Sequence, residues 1–544
     1  MSAFLDRTGK AVPTLLIALA GILYFYYIGE RGLWPSDEDD YAQISREILR
    51  SGNWIYLTCN DLPWTAKPVL LNWFIAAISL PWGDVTELRA RIPSAVAAIA
   101  TVMLTYALGK RMFSNRAGLL SALVLGTCGI FIIQARLSQT YMLAAFFSTL
   151  AIFCFYVGYT NPARRTLAYL SMAAAAGFGV MTAGPVNLAV PGLVCLTFIV
   201  FMRDLGHIKE MRLVRGMLVF LVIVAPWYVM MGLHEDYGYD LFIKTNFVRY
   251  TDTWTHAKPF YYYLKVLTHT FAPWSLFLPG ALILAFSQRS GEHRKAITFI
   301  LVWVFSLYIF FSIATGKKPG YLLGAYPALA LLVGYLLDRA LQFWPESFYR
   351  KALLIPSGIL IALSALATVA APIASAIFEP DYLIYAIGLS LITGTFALLS
   401  YLAWRRNRPG QLVVLPAALV FVLVLYGAQA IIPLVDPYKS AKVYSEYVRS
   451  QLDEDPGTAW GMYKSYRAKY VYYADHFNRA LYTEKELRRF LKKNNPAIVT
   501  FHADDYDKMK TTLLADLEVL DRQFIGSQEF VSISNRSSLK YQKQ

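Results

Sequence analysis

Hydrophobic residues in this 544-residue chain run in long blocks rather than alternating with polar ones. A helix of about 20 apolar residues crosses a bilayer. The blocks predict thirteen such helices, over 11–29, 92–109, 117–134, 140–159, 166–181, 184–202, 213–232, 262–287, 296–314, 319–342, 352–378, 382–404 and 411–433. The run VLLNWFIAAISLPW (69–82) is short for a span and reads as an interfacial or re-entrant helix. After Pro433 the pattern changes. Short strand-like runs, AIVTF (497–501) and EFVSIS (529–534), flank helical ones such as TEKELRRFLKKN (483–494), where Thr483 stands as N-cap before an acidic first turn. The fold class expected is therefore a polytopic α-helical membrane protein. Residues 1–433 form the membrane domain, with interfacial helices in a long first loop (30–91), and 434–544 form a small soluble α/β domain.

Composition agrees with this reading. The chain is 56% hydrophobic, 15% aromatic and only 16% charged, against about 25% charged in an average soluble domain. The net charge of +15 would suggest nucleic acid on a soluble protein, but in a membrane protein it must be divided by side. With the N-terminus in the cytoplasm, the cytoplasmic loops hold 20 bases and six acids, and the opposite loops hold 12 bases and 15 acids. That is the positive-inside asymmetry. Thirteen spans then place the C-terminal domain outside. The excess charge records topology, and no nucleic-acid partner is expected. The four cysteines (Cys59, Cys128, Cys154, Cys195) show neither CxxC nor zinc spacing, and there is no HExxH motif or GxxxxGK[ST] loop. No metal and no cofactor is expected.

The polar residues able to do chemistry collect in the outer loops. The first loop opens Ser36-Asp37-Glu38-Asp39-Asp40-Tyr41, and Tyr41, Ile44, Ile48 and Leu49 follow at helical spacing. Ser36 can cap an amphipathic helix lying in the interface with an acidic N-terminus. Four first-turn acids suit a capped helix start as readily as a catalytic carboxylate. Lys67-Pro68 precedes the run 69–82, where a snorkelling lysine is equally consistent. The segment 233–261 carries Asn246, Arg249 and His256. An arginine there suits phosphate, while an aromatic belt with basic anchors accounts for the same residues. Lys317-Lys318-Pro319-Gly320-Tyr321 sits at the outer mouth of a span, against the charge trend, which suits an anionic lipid head group. A carboxylate facing such cations is equipped for group transfer from a lipid-linked phosphate.

These stretches, in their order, resemble the GT-C membrane glycosyltransferases and among them the ArnT family (glycosyltransferase family 83), relatives of the protein O-mannosyltransferases. The resemblance rests on Asp37-Glu38 with Tyr41-Ala42, Ser45-Arg46-Glu47, Lys67-Pro68, Gly184-Pro185, Asn246 with Arg249, His256 ahead of Pro273-Trp274, and Lys317 with Tyr321 and Pro327. It implies a GT-C fold and an undecaprenyl-phosphate-dependent transfer of 4-amino-4-deoxy-L-arabinose, or a related sugar, to lipid A phosphate; inversion is expected because one carboxylate is evident and a retaining route needs a second nucleophile. The enzyme would act as a monomer on the periplasmic face of a bacterial inner membrane. It also implies Asp37 as the catalytic carboxylate. Lys67, Arg249 and Tyr321 would hold the lipid phosphate, with Glu38, Lys317, Asn246 and His256 as further substrate contacts. The chain departs from the family pattern at Asp39-Asp40, at Tyr141 where an Asp often stands, and at Ala183 where a Lys is common. Two alternatives remain open: another acceptor (a core or O-antigen sugar, or a protein hydroxyl), or a lipid-linked sugar flippase.

Overall fold

The computed structural model describes residues 11–34, 37–234, 258–288, 291–464, 468–494, 496–511, 514, 517–525 and 528–535. Among these, nine helices are long and apolar enough to cross a membrane, or up to eleven if two bent helix pairs each count as one span. Pro13–Phe25, Leu70–Trp82 and Val186–Phe201 are shorter apolar helices. The chain divides into two compact units. One comprises 1–26, 65–71 and 91–430; the other comprises 27–64, 72–90 and 431–544. The first-loop segments thus share a unit with the C-terminal residues.

The first unit is a helical bundle. Its most enclosed member runs from Pro319 through Gln342, a short 3-10 stretch continued as an α-helix. It packs closely because Gly334 lies against Ser121: a Cβ on that glycine would fall 2.2 Å from Ser121 Oγ and 2.6 Å from its backbone nitrogen. Small residues at such crossings let helix backbones approach without polar penalty.

Two spans expected as continuous are broken. Asn115–Gly126 and Gly129–Ala135 meet at 68°, and Tyr262–Thr270 and Trp274–Ser287 meet at 114°. Pro273 cannot donate a backbone hydrogen bond, so a helix ends ahead of it. The freed groups at the two breaks serve one another. Gly129 N–H donates to Ala272 O at 3.1 Å, Cys128 Sγ–H to Thr270 O at 3.3 Å and Trp274 Nε1–H to Thr127 Oγ1 at 3.0 Å. In an apolar medium each unpaired backbone group would cost several kcal/mol, which is why breaks persist only where other protein groups meet them. Arg136 serves the first helix in the same way, donating to Leu23 O at 2.9 Å and Tyr26 O at 2.7 Å at that helix's C-terminal end.

The second unit contains a small hairpin, β1 (Thr58–Cys59) with β2 (Leu62–Pro63), and a five-stranded mixed sheet. The sheet is built from β3 (Ala459–Tyr463), β4 (Arg479–Leu481), β5 (Ala497–His502), β6 (Glu518–Ile525) and β7 (Gln528–Ser534). Its order is β4-β3-β5-β7-β6. The β3 pairings with β4 and β5 are parallel, and those of β7 with β5 and β6 antiparallel. Both strand-like runs seen in the sequence are strands. The Thr483 helix (Glu484–Lys493) has a full capping box: Thr483 accepts from Glu486 N–H, and Glu486 accepts from Thr483 N–H. The Tyr482 and Thr483 N–H groups hold the Glu486 carboxyl below its ordinary range.

The acidic helix of the first loop spans Glu38–Ser51, and ten of its residues are buried, polar ones included. A helix lying in the interface would keep its polar face wet. Here Arg46 instead pairs with Asp84 at 2.7 Å, donates to Val85 O at 3.2 Å and lies 4.0 Å over the Tyr472 ring. Glu47 accepts from Gln43, Thr58 and the Asn60 N–H at 2.6–2.7 Å. The helix is thus an inner member of its unit.

Candidate functional site

Lys67 and Tyr321, far apart in the chain, line one open cavity of about 540 Å³, mouth included, in the first unit. Each reaches it for a local reason. Lys67 lies in the stretch just before the Leu70–Ser79 helix. Tyr321 lies on the 3-10 stretch Pro319–Ala325, where Pro319 at the first turn breaks from the preceding loop. The helices Thr140–Thr160, Val186–Phe201 and Arg294–Ile313 supply the rest of the wall. Gly184, with φ +84, ends the Arg165–Ala183 helix and Pro185 starts the next. This turn explains the Gly-Pro pair and sets Ala183, Val186 and Asn187 along the cavity.

Two cavity residues were visible in the sequence only as departures from a pattern. Tyr141 and Ala183 line the cavity beside Lys67 and Tyr321. Tyr141 and Tyr321 meet edge to face at 5.8 Å between centroids, and Phe311 leans on Tyr321 at 6.2 Å. Asn187 and Phe311 gave no sequence signal, because each stands in an apolar run whose lining face only packing reveals.

The other predicted residues fall elsewhere. Asp37 is exposed, holds a left-handed backbone (φ 72, ψ 0) and precedes the Glu38–Ser51 helix without capping it through its side chain. A non-glycine residue there costs of order 1 kcal/mol, a strain found at functional positions. Ser36, expected as the cap, lies outside the described residues, as do Asn246, Arg249 and His256. Glu38 is fully buried, with its carboxylate taken by Arg31 at 2.8 Å and by the Trp34 N–H at 3.3 Å. In this structure Glu38 serves as an internal brace, its carboxylate without solvent access and paired with Arg31. Lys317 is also turned inward. It is buried, and its ammonium donates to Lys258 O at 3.0 Å and to Ala314 O, fixing the turn ahead of Pro319. Burial pushes its ammonium pKa down.

Among the described residues the cavity thus joins one lysine, two tyrosines and a largely apolar wall, which suits an anionic head group attached to a hydrocarbon chain.

Residues 66–230 match the family described as dolichyl-phosphate-mannose-protein mannosyltransferase. The chain is 32% identical over 337 residues to the undecaprenyl phosphate-alpha-4-amino-4-deoxy-L-arabinose arabinosyl transferase 2 of Pseudomonas fluorescens, covering 60% of this chain and 56% of that one. It is 31% identical over 376 residues to the protein of the same name from Proteus mirabilis, covering 67% and 66%. The matches therefore span 56% to 66% of these relatives' length. The crystal structure of ArnT from Cupriavidus metallidurans bound to undecaprenyl phosphate superposes with a TM-score of 0.78 at 23% identity, covering 97% of this chain and 99% of that one.

Proposed function

We propose that this ArnT-like chain, with the fold of the GT-C membrane glycosyltransferases, transfers a sugar from undecaprenyl phosphate to a lipid A phosphate on the periplasmic face of a bacterial inner membrane. The sugar is 4-amino-4-deoxy-L-arabinose, as in the relatives' names, or a related one. The observation that carries the reading is the convergence of Lys67 and Tyr321 on one largely apolar cavity.

In the reaction an acceptor phosphate oxygen attacks the anomeric carbon. The bond from that carbon to the donor phosphate oxygen breaks, and undecaprenyl phosphate leaves with the bonding electrons. Charge grows on the leaving oxygen, and a positioned ammonium stabilises it more in the transition state than in the ground state. That is the part assigned to Lys67, with the Tyr321 hydroxyl as a neutral donor. An acceptor phosphate already ionised at pH 7 needs no strong general base. The carboxylate part is assigned to Asp37, whose exposed, strained setting leaves it available to orient an acceptor. Arg249, Asn246 and His256 keep their expected substrate contacts as part of the proposal. The C-terminal domain is placed on the outer side.

Purified full-length chain in nanodiscs, given labelled sugar-linked undecaprenyl phosphate and lipid A, should yield labelled lipid A. Lys67→Ala should lower kcat/KM by about 100-fold or more, the scale for losing one electrostatic donor, and Asp37→Asn should abolish transfer. Wild-type rates in both well-folded variants would refute the assignment.

A further inference from the structure

Just ahead of Asp37, three consecutive backbone N–H groups are each taken by a side chain. Gly32 N–H lies 3.1 and 3.0 Å from the two carboxylate oxygens of Asp436. Leu33 N–H donates to the Tyr473 hydroxyl at 2.7 Å, and Trp34 N–H to the Glu38 carboxylate at 3.3 Å. The Trp34 indole N–H also donates to Asp436, at 2.6 Å to Oδ1. A stretch outside helix and sheet must find such acceptors, because a buried N–H left unpaired is costly. Leu33 and Glu38 are fully enclosed.

The approach is close. Asp436 stands on the helix Ile432–Lys439, and Ser440 follows it. A Cβ on Gly32 would fall 2.3 Å from Ser440 Oγ and 3.3 Å from Asp436 Oδ2, so the missing side chain at Gly32 admits this contact. Ser440 is itself fixed: its N–H donates to Asp436 O at 2.8 Å and its Oγ accepts from Lys442 N–H at 3.1 Å. The Tyr473 hydroxyl donates onward to Glu87 at 3.2 Å, and Lys442 lies 3.7 Å from the same carboxylate. Arg31 ties the stretch to Glu38 at 2.8 Å and lies 4.4 Å over the Trp34 ring. All these groups belong to one compact unit.

Residues 31–34 precede Asp37 and Glu38 follows it, and both sides are held. The left-handed backbone at Asp37 is thus anchored from two directions. A group that orients a reactant must be placed to a fraction of an ångström, and a shift of about 1 Å can cost about 100-fold in rate. We propose that Asp436 is a positioning residue for the transfer reaction, acting through Gly32 and Trp34 to set the place of the Asp37 carboxylate. The inference rests on the role proposed above for Asp37.

Full-length chain in nanodiscs tests it by two readouts. Hydrogen exchange on a peptide covering 31–38 reads the hold on the Gly32, Leu33 and Trp34 amides. Steady-state transfer, normalised to folded protein, reads its consequence. In Asp436→Ala, exchange should speed by about tenfold or more. Its kcat should fall about tenfold, with donor KM unchanged, as for an interaction that matters in the transition state alone. Asp436→Asn, which keeps an acceptor oxygen, should restore part of the loss. Trp34→Phe keeps the ring, removes one donor and should show a smaller loss in the same direction. Wild-type exchange in Asp436→Ala overturns the hold. Faster exchange with wild-type kcat per folded protein overturns the positioning role. If Asp436→Ala fails to fold, wild-type kcat in both Asp436→Asn and Trp34→Phe overturns the proposal. A wild-type chain without transfer activity overturns the proposed function and this inference with it.

Discussion

Lys317 and Lys67 are both lysines on the sparsely basic side of the chain, and nothing in their sequence settings separates their roles. Their surroundings do. Lys67 lines an open cavity, whereas Lys317 is 4% exposed with its donors on Lys258 and Ala314 carbonyls. Charge-assisted bonds of this kind contribute about 1.5–3 kcal/mol. Lys317→Ala should therefore lower the thermal midpoint of the detergent-solubilised protein, equivalent to about 2 kcal/mol, and leave donor KM of the folded fraction near wild type. A lysine that binds phosphate would give the reverse: an unchanged midpoint and a raised KM. The same distinction applies to adjacent acids. Asp37 and Glu38 look alike in the sequence, but one is exposed with a left-handed backbone and the other is enclosed against Arg31. Their identity as a motif was legible because it is contiguous. Their division of labour was not, because burial depends on what folds over them.

At the scale of elements, hydropathy located the helices and missed their breaks. Residues 117–134 and 262–287 are apolar on average, so a window average reads each as one rod. The structure bends both, by 68° and 114°, and pairs the exposed backbone of one break with that of the other. Pro273 was a visible signal, but tolerance of a break depends on a partner far away in the chain. Helix contact has the same character. Gly334 is one glycine among 33, and only its approach to Ser121 makes it sensitive. Gly334→Ala should cost about 3 kcal/mol or more, because the obstructing atoms include backbone that cannot turn aside. Size-exclusion profiles after stepwise heating should show early loss of the monodisperse peak. Gly192, with open space around it, is the matched control and should tolerate alanine.

At the scale of the whole molecule, charge asymmetry predicts an N-terminus in the cytoplasm and a C-terminus outside. A reporter active only outside the cytoplasm should work when fused after Gln544 and fail when fused after Arg165 or Arg215. The opposite pattern at all three sites would mean that the run 69–82 crosses the membrane and inverts everything after it.

The sequence by itself determined the membrane class, the positions of most helices, the α/β character of residues 434–544 and the stretches that carry the ArnT resemblance. All of these depend on composition within a window or on contiguous residues. The tertiary structure decided which residues share a wall. It brought Lys67, Tyr141, Ala183 and Tyr321 to one cavity, withdrew Glu38 and Lys317 into internal pairs, and gathered first-loop segments into a compact unit with the C-terminal residues. The physical reason is that burial and the pairing of charges arise from contacts between distant segments, which a linear pattern does not contain.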